Sequence, residues 1–314
     1  MHKYSLPEIS VCMITYGHAS FILEAIRGVL NQDIDFNVEL VISNDCSPDQ
    51  TDEIVRDFLI SAEIPPRFEI KYVNHDPNLG MAKNFLWAMK QCKGKYIALC
   101  EGDDYWNDSL KLKKQWKFLE ENHKYILSFH DSFVVESEGL IEKKRYLEDS
   151  NKKDLSFEEF STGKYVLPTH SVFFRNQFID ELPQTFLTVL NTDTFLYMFL
   201  SSKGSFHFHP EIFHTAYRKH GDGIWTSKNS FQKSLSGLYT FETLKKIFPS
   251  NRNIDSKIHT LRIETIYYCW RQKNWKFLFI HYSKTLFLSF SDKHLANKFF
   301  AFHKKILDNR FQKQ

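Results

Sequence analysis

The sequence predicts an α/β protein: a mixed, mainly parallel sheet flanked by helices, with a C-terminal helical region. Three observations predict it. Short β-rich apolar runs alternate with segments of helical period through the first third of the chain. The links between them are short. Charge and aromatic content then change in the C-terminal part. Alternation with short links implies parallel strands joined by right-handed crossovers.

"ISVCMITY" (9–16) reads as a buried strand, and Ile22, Ala25, Ile26, Val29 and Leu30 then share one helical face. "VELVISND" (38–45) is the second strand. In "SPDQTDEIVRDFL", Ser47 is the expected N-cap, with Pro48 at the first helical position, Gln50 three residues on, and Ile54, Val55, Phe58 and Leu59 facing inward. "FEIKYVN" (68–74) is the third strand, and "GMAKNFLWAMKQC" a helix with Phe85, Leu86 and Met89 inward. "GKYIALCEGDD" is the fourth strand. "SLKLKKQWKFLEEN" is an amphipathic helix carrying Leu112, Trp116 and Leu119 on one face.

"YILSFHDSFVV" and "YVLPTHSVFFR" read as two further strands, with a charged stretch (136–160) expected to loop out between them. "NTDTFLYMFLSSKG" reads as a helix opening at Asp193, and "FHFHPEIFHTAYRKHGDGIW" alternates before a polar turn. The pattern breaks at "TSKNS". A boundary is therefore expected near residue 228, separating 1–228 from a basic, aromatic, mainly helical region, 229–314.

The 314 residues are 42% hydrophobic and 25% charged, an ordinary composition for a soluble globular protein. No run of 18 uncharged apolar residues predicts a transmembrane helix, and the N-terminus lacks the pattern of a signal peptide. Five cysteines, odd in number and without CxxC spacing, read as reduced thiols of a cytosolic protein. The net charge of +3 hides an asymmetry. Residues 231–314 hold 16 Lys/Arg against 5 Asp/Glu, and the rest of the chain 25 against 33.

Ligands of parallel α/β sheets sit at the carboxyl ends of the strands. Four polar segments fall there: "TYGHAS", "NDCSPD", "NHDPNLG" and "EGDDYW". Hard divalent cations take oxygen ligands, and Mg²⁺ or Mn²⁺ is commonly held by one or two carboxylates together with substrate phosphates. Glu101 and Asp103, two residues apart at the end of the fourth strand, suit such an ion. The alternative is a polar turn with no ligand. "NLGMAKN" lacks the Gly-Lys-Ser/Thr ending of a P-loop and reads as a turn.

"VCMITYGHASFILEAIRGVLNQ", "LVISNDCSPDQT", "NHDPNLGMAKNF", "YIALCEGDDYW", "THSVFFR" and "AYRKHGDGIW", in this order, resemble a family-2 glycosyltransferase of the GT-A fold, a Rossmann-like nucleotide-binding sheet. The resemblance runs from about residue 8 to 226. It implies transfer of a sugar from a nucleotide-diphosphate donor, usually UDP, with inversion at the anomeric carbon and with Mn²⁺ or Mg²⁺. It further implies that Asp45 contacts the base and that Thr15 and Tyr16 line the nucleotide pocket. Glu101 and Asp103 match the two acidic positions of the DXD motif, with Asp103 the direct metal ligand. Asp104 supports it or contacts the ribose. Two residues depart from the family pattern: Glu101 where Asp is usual, and Gly17 where Asn is common.

Inversion needs a base for the acceptor hydroxyl, and a carboxylate with a raised pKa suits that role. Asp193 matches the family's base; an aspartate opening a helix is also a natural N-cap. His220 in "YRKH" is implied as a metal or pyrophosphate contact, with Arg218 beside it; Lys83, in the "NLGMAKN" turn near the nucleotide, is a candidate phosphate or base contact. The histidines at 207, 209 and 214 read as strand residues, not as a zinc site. The basic aromatic tail fits either a packed helical subdomain or attachment to an anionic membrane surface, which suits a glycan or lipid-linked acceptor. No nucleic-acid-reading motif is present. The expected location is cytoplasmic, at or near the inner face of the membrane. The rival functions are a nucleotidyltransferase, which would need a glycine- and basic-rich loop after the first strand, and a non-catalytic nucleotide-binding, membrane-associated module.

Overall fold

The structure, a computed structural model, describes residues 6–136, 141–212, 215–220, 223, 225, 227–291, 296, 297, 299–301 and 304. The chain divides into two compact units. One comprises 1–160, 165–188 and 192–220, and the other 161–164, 189–191 and 221–314.

The first unit begins with the expected alternation: β1 (Ile9–Thr15), α1 (Ile22–Leu30), β2 (Val38–Asn44), α2 (Thr51–Ser61), β3 (Phe68–Asn74), α3 (Met81–Gln91) and β4 (Tyr96–Leu99). It continues with β5 (Tyr105–Trp106), α4 (Lys111–Glu121), β6 (Tyr125–His130), β7 (Phe133–Glu136), β8 (Ile141–Arg145), α5 (Phe157–Phe160), β9 (Phe173–Arg175), α6 (Thr192–Ser201), β10 (Ser205–His209) and β11 (Thr215–Lys219). A seven-stranded sheet has the order β10-β6-β9-β4-β1-β2-β3, parallel except for β9, which pairs antiparallel with β4 and β6. A second sheet has the order β5-β11-β7-β8.

Apolar patterning explains the main layer. Ile9, Val11 and Met13 of β1 and Val38, Leu40 and Ile42 of β2 are buried with Ile22, Ala25, Ile26 and Val29 of α1 in one core. Each Val, Leu, Ile or Met side chain among them contributes roughly 1.5–3 kcal/mol when fully withdrawn from water. Leu30 and Leu86, expected inward, are only half-buried.

Four expectations are corrected. Helix α2 starts at Thr51, so Ser47 is not its N-cap and Pro48 not its first residue. The Ser47 hydroxyl is used elsewhere: it accepts the Gly17 N–H at 3.0 Å and donates to Asn44 Oδ1 at 2.5 Å. Asp49 ties the helix start instead, accepting from the Thr51 N–H at 3.1 Å and its hydroxyl at 2.6 Å. "YILSFHDSFVV" is not one strand but β6 and β7, in different sheets. The break is at Asp131, whose Oδ1 accepts the N–H groups of Ser132 (2.8 Å) and Leu147 (2.9 Å) and so turns the chain. The 136–160 stretch is not simply a loop: β8 within it pairs with β7. Of "YVLPTHSVFFR", only β9 is strand; Thr169–Ser171 form a 3-10 turn. His214 and most of 221–226 lie outside the described residues.

The second unit carries α7 (Ser230–Ile247), α8 (Arg252–Arg271) and α9 (Trp275–Ser291). Asn229 and Gln232 form a reciprocal capping box on α7, and Asn251 caps α8. Leu238, Phe241 and Leu244 are buried with Ile254, Ile258, Leu261 and Ile266. Lys245–Asp255 and Arg262–Glu242 ion pairs, each 2.6 Å, join α7 to α8. On α9, Trp275 (60% exposed), Phe279 (72%) and Phe287 (76%) face solvent. No helix among the described residues is long and apolar enough to cross a membrane.

Candidate active site

The site grows from the parallel register. Thr15 of β1 lies opposite Asn44 of β2, and Cys12 opposite Leu99 of β4. The ladder outruns the strands: Asp45 N–H donates to Thr15 O (3.0 Å), Cys100 N–H to Cys12 O (3.1 Å) and Gly102 N–H to Ile14 O (3.0 Å). A turn then closes with Asp104 N–H on Glu101 O at 3.1 Å. Glycine is needed inside it. A Cβ at Gly102 would lie 2.6 Å from Thr15 Oγ1 and 3.0 Å from His18 Nδ1.

The three carboxylates of this turn have different neighbours. Asp104 is buried and fully engaged: Oδ2 takes His170 Nδ1 at 2.9 Å and Oδ1 accepts the Arg218 N–H at 2.8 Å. Burial raises its pKa, with the His170 charge acting against the rise. Asp103 Oδ2 lies 3.0 Å from His220 Nε2 and 3.8 Å from His18 Nε2. Burial opposes ionisation of Asp103, but the His220 hydrogen bond and the His18 charge outweigh it and hold the carboxyl below its usual value. Glu101 goes the other way. Burial, then repulsion from Asp103, Asp104 and Asp193, pushes it well above the ordinary glutamate value.

His18 and His170 were not singled out by sequence reasoning. His18 sat in plain view within "TYGHAS", and its importance comes from loop geometry. Three successive N–H groups are held by side chains of the loop after β2 and the first residue of α2: Gly17 by Ser47, His18 by Thr51 and Ala19 by Asp49, each at 3.0 Å. Gly17 itself adopts a φ of +73°, which favours glycine. With Thr15 Oγ1 at 3.1 Å from Nδ1, the His18 ring presents Nε2 to Asp103. Burial lowers the His18 pKa, against the attraction of Asp103, so the imidazole favours its neutral form. His170 had only the signal of a histidine inside an apolar strand-like run.

Arg218 braces the acidic turn. Its Nε donates to Asp103 O at 2.9 Å and Nη2 to Glu24 at 2.6 Å, while the guanidinium lies 4.6 Å over the Phe21 ring and 5.0 Å over Tyr105. Asp45 is buried, and its carboxylate accepts the N–H groups of Leu79 (2.6 Å) and Gly80 (3.0 Å). It thereby anchors the turn that opens α3, where Gly80 has a φ of +82°. Thr15 is buried beside Asp45, and Tyr16 is 47% exposed. Lys83 lies on the exposed side of α3.

Asp193 is the second residue of α6, half-buried, accepting the Thr194 N–H at 2.7 Å. Burial raises its pKa, with that hydrogen bond acting against the rise. Its charge is felt at Glu101 and at Tyr146, Tyr197 and Tyr217, so it belongs to the same electrostatic site as the acidic turn.

A divalent ion fits the donor set. His18, Asp103 and His220 bring one ligand atom each to within 4.8 Å of one another, as do Glu101, Asp103 and Asp104. Adjacent ligands on a six-coordinate ion with bonds of about 2.1 Å lie about 3 Å apart, near the His220–Asp103 separation.

The mixed α/β layering, with acidic and imidazole side chains gathered at the carboxyl ends of the parallel strands, defines an α/β protein with its ligand site at the strand ends. The model of glycosyl transferase family 2 matches residues 10–182, and the chain belongs to that family. An uncharacterised Mycobacterium tuberculosis protein is 31% identical over 219 residues, which is 70% of this chain and 61% of that relative. The match thus spans under two thirds of the relative. A Campylobacter jejuni protein named GalNAc(5)-diNAcBac-PP-undecaprenol beta-1,3-glucosyltransferase is 24% identical over 298 residues, covering 92% of this chain and 90% of its own. Among solved structures, Staphylococcus aureus TarS with UDP-GlcNAc superposes with a TM-score of 0.61 at 17% identity, covering 83% of this chain and 73% of TarS. The Pyrobaculum calidifontis mannosyltransferase PcManGT, with GDP-Man and Mn²⁺, also gives 0.61 at 14% identity, covering 96% and 81%. At these identities the structural likeness speaks for the fold.

Proposed function

We propose that the protein is a metal-dependent, inverting glycosyltransferase that moves a sugar from a UDP-sugar to a hydroxyl of a glycan or lipid-linked acceptor. The observation that carries this reading is the pairing of Asp103, kept ionised between two imidazoles, with Asp193, a carboxylate of raised pKa in the same electrostatic site. One end suits a cation and diphosphate, the other a base.

Asp103 and His220 would hold Mn²⁺ or Mg²⁺, and the ion would supply charge neutralisation for the leaving diphosphate. Asp45 reads the base from a carboxylate already fixed by two backbone N–H groups. Thr15 and Tyr16 line the nucleotide, Lys83 contacts phosphate or base, and Arg218 contacts the pyrophosphate. Glu101 faces the donor, and Asp104 supports the turn through His170 and Arg218. Asp193 takes the acceptor proton as the hydroxyl attacks the anomeric carbon from the face opposite the diphosphate. The bond from the anomeric carbon to the diphosphate breaks in the same oxocarbenium-like transition state, and the nucleoside diphosphate leaves. A panel of nucleotide sugars assayed for hydrolysis, with and without EDTA, tests this. Turnover of one donor that stops on chelation is expected; no binding or turnover with any donor would overturn it.

The reading extends to an anionic membrane surface at the cytoplasmic face. The solvent side of α9 carries Trp275, Phe277, Phe279, Ile280 and Phe287 with Lys276 and Lys284, and α9 has no acidic residue. Interfacial aromatics among cations suit anionic lipid. The double variant F279S/F287S should lose sedimentation with phosphatidylglycerol vesicles; equal sedimentation of both proteins would refute it.

A further inference from the structure

We infer that His18 is a second imidazole ligand of the cation, and that the site therefore selects a transition-metal dication of the Mn²⁺–Co²⁺ type over Mg²⁺. This rests on the metal-dependent reading above and deepens it. His18 and His220 approach the same oxygen of Asp103, at 3.8 and 3.0 Å, from the loop after β1 and the end of β11. The second acidic candidate set is poorly placed to replace them, because both oxygens of Asp104 are taken by His170 and Arg218.

The His18 ring is oriented independently of Asp103. The Thr15 hydroxyl fixes Nδ1, the backbone on either side is held by Ser47, Thr51 and Asp49, and Gly102 leaves room for the ring beside the turn. A ligand whose far nitrogen is bonded and whose backbone is clamped loses little freedom on coordination, the arrangement that supports metal-bound histidines generally. Two imidazoles with one carboxylate is a donor set suited to Mn²⁺, Fe²⁺ or Co²⁺. Mg²⁺ prefers oxygen and water throughout. Three protein ligands leave positions of a six-coordinate ion for diphosphate oxygens.

The test is direct Mn²⁺ binding followed by EPR with UDP present and no turnover required. In wild type, Mn²⁺ should bind at least about tenfold more tightly than Mg²⁺ in competition, following the ligand preference. Electron spin-echo modulation should report couplings from two imidazole nitrogens. H18N, which keeps a polar atom near the Nδ1 position beside Thr15 but has none at Nε2, should weaken Mn²⁺ about tenfold or more, leave Mg²⁺ nearly unchanged and lose one nitrogen coupling. D103N should lose both ions. Should H18N misfold, the wild-type modulation still decides: one nitrogen coupling, or equal Mn²⁺ and Mg²⁺ affinity, overturns the inference. Loss of metal in D103N with no change in H18N removes His18 alone. No metal binding in wild type removes both this inference and the metal-dependent reading.

Discussion

Replacing Asp193 by Asn separates catalysis from folding. Asparagine keeps the side-chain volume and an oxygen to accept the Thr194 N–H, now at 2.7 Å. The only loss is the proton-accepting carboxylate. General-base catalysis contributes about 10²–10⁴ in rate, or about 3–5 kcal/mol of barrier at ~1.4 kcal/mol per tenfold. Stability should move the other way. A carboxyl whose folded pKa is raised binds protons more tightly folded than unfolded, so stability falls as pH rises from about 4 through the raised value. Above that window D193N should be as stable as wild type or more so. The rate runs the opposite way and should fall as pH drops through the raised pKa and Asp193 takes up its proton. The assay is donor turnover at pH 7.5, with melting temperature and UDP affinity measured in parallel. Turnover within threefold of wild type, at unchanged affinity, would refute the base assignment.

Two further outcomes follow from packing and burial. G102A should lower the melting temperature and weaken UDP binding in the presence of Mn²⁺, because its Cβ would stand 2.6 Å from Thr15 Oγ1 and 3.0 Å from His18 Nδ1. Overpacking of this kind costs about 1–3 kcal/mol, and calorimetry reads both effects. K111M concerns a lysine buried beneath the turn, bonded to Gln115 and 4.0 Å over the Trp106 ring, whose pKa burial lowers to about 7. Between pH 7 and the ordinary lysine value the unfolded chain holds a proton that the folded one does not, so wild-type stability rises with pH there. K111M should therefore gain most over wild type near pH 6, and that advantage should shrink steadily as pH rises from 7 towards the ordinary lysine value in thermal melts; a gap independent of pH would contradict the lysine's burial as a charge cost.

The parallel core was legible because β1 to β4 and α1 to α3 have clean periods, and the family resemblance and mixed α/β layering are borne out. The second sheet was not legible. β6 and β7 form one apolar run, and only the Asp131 carboxylate, bonded to Ser132 and to the distant Leu147, divides them. Ser47 misled for a similar reason, since a good capping residue was claimed by Gly17, thirty positions away. The acidic turn could be read at its strand end, but the different surroundings of its members could not. They depend on His18, His170 and Arg218, brought in by three separate segments.

The central claim, that the Asp103 turn holds a diphosphate through a cation, is tested most directly by UDP affinity in calorimetry with Mn²⁺ and with EDTA, for wild type and D103N. Wild type should bind UDP at least about tenfold more tightly with Mn²⁺, a gain of about 1.4 kcal/mol, and D103N should show no such gain. Equal UDP affinity in Mn²⁺ and EDTA for wild type would contradict the account.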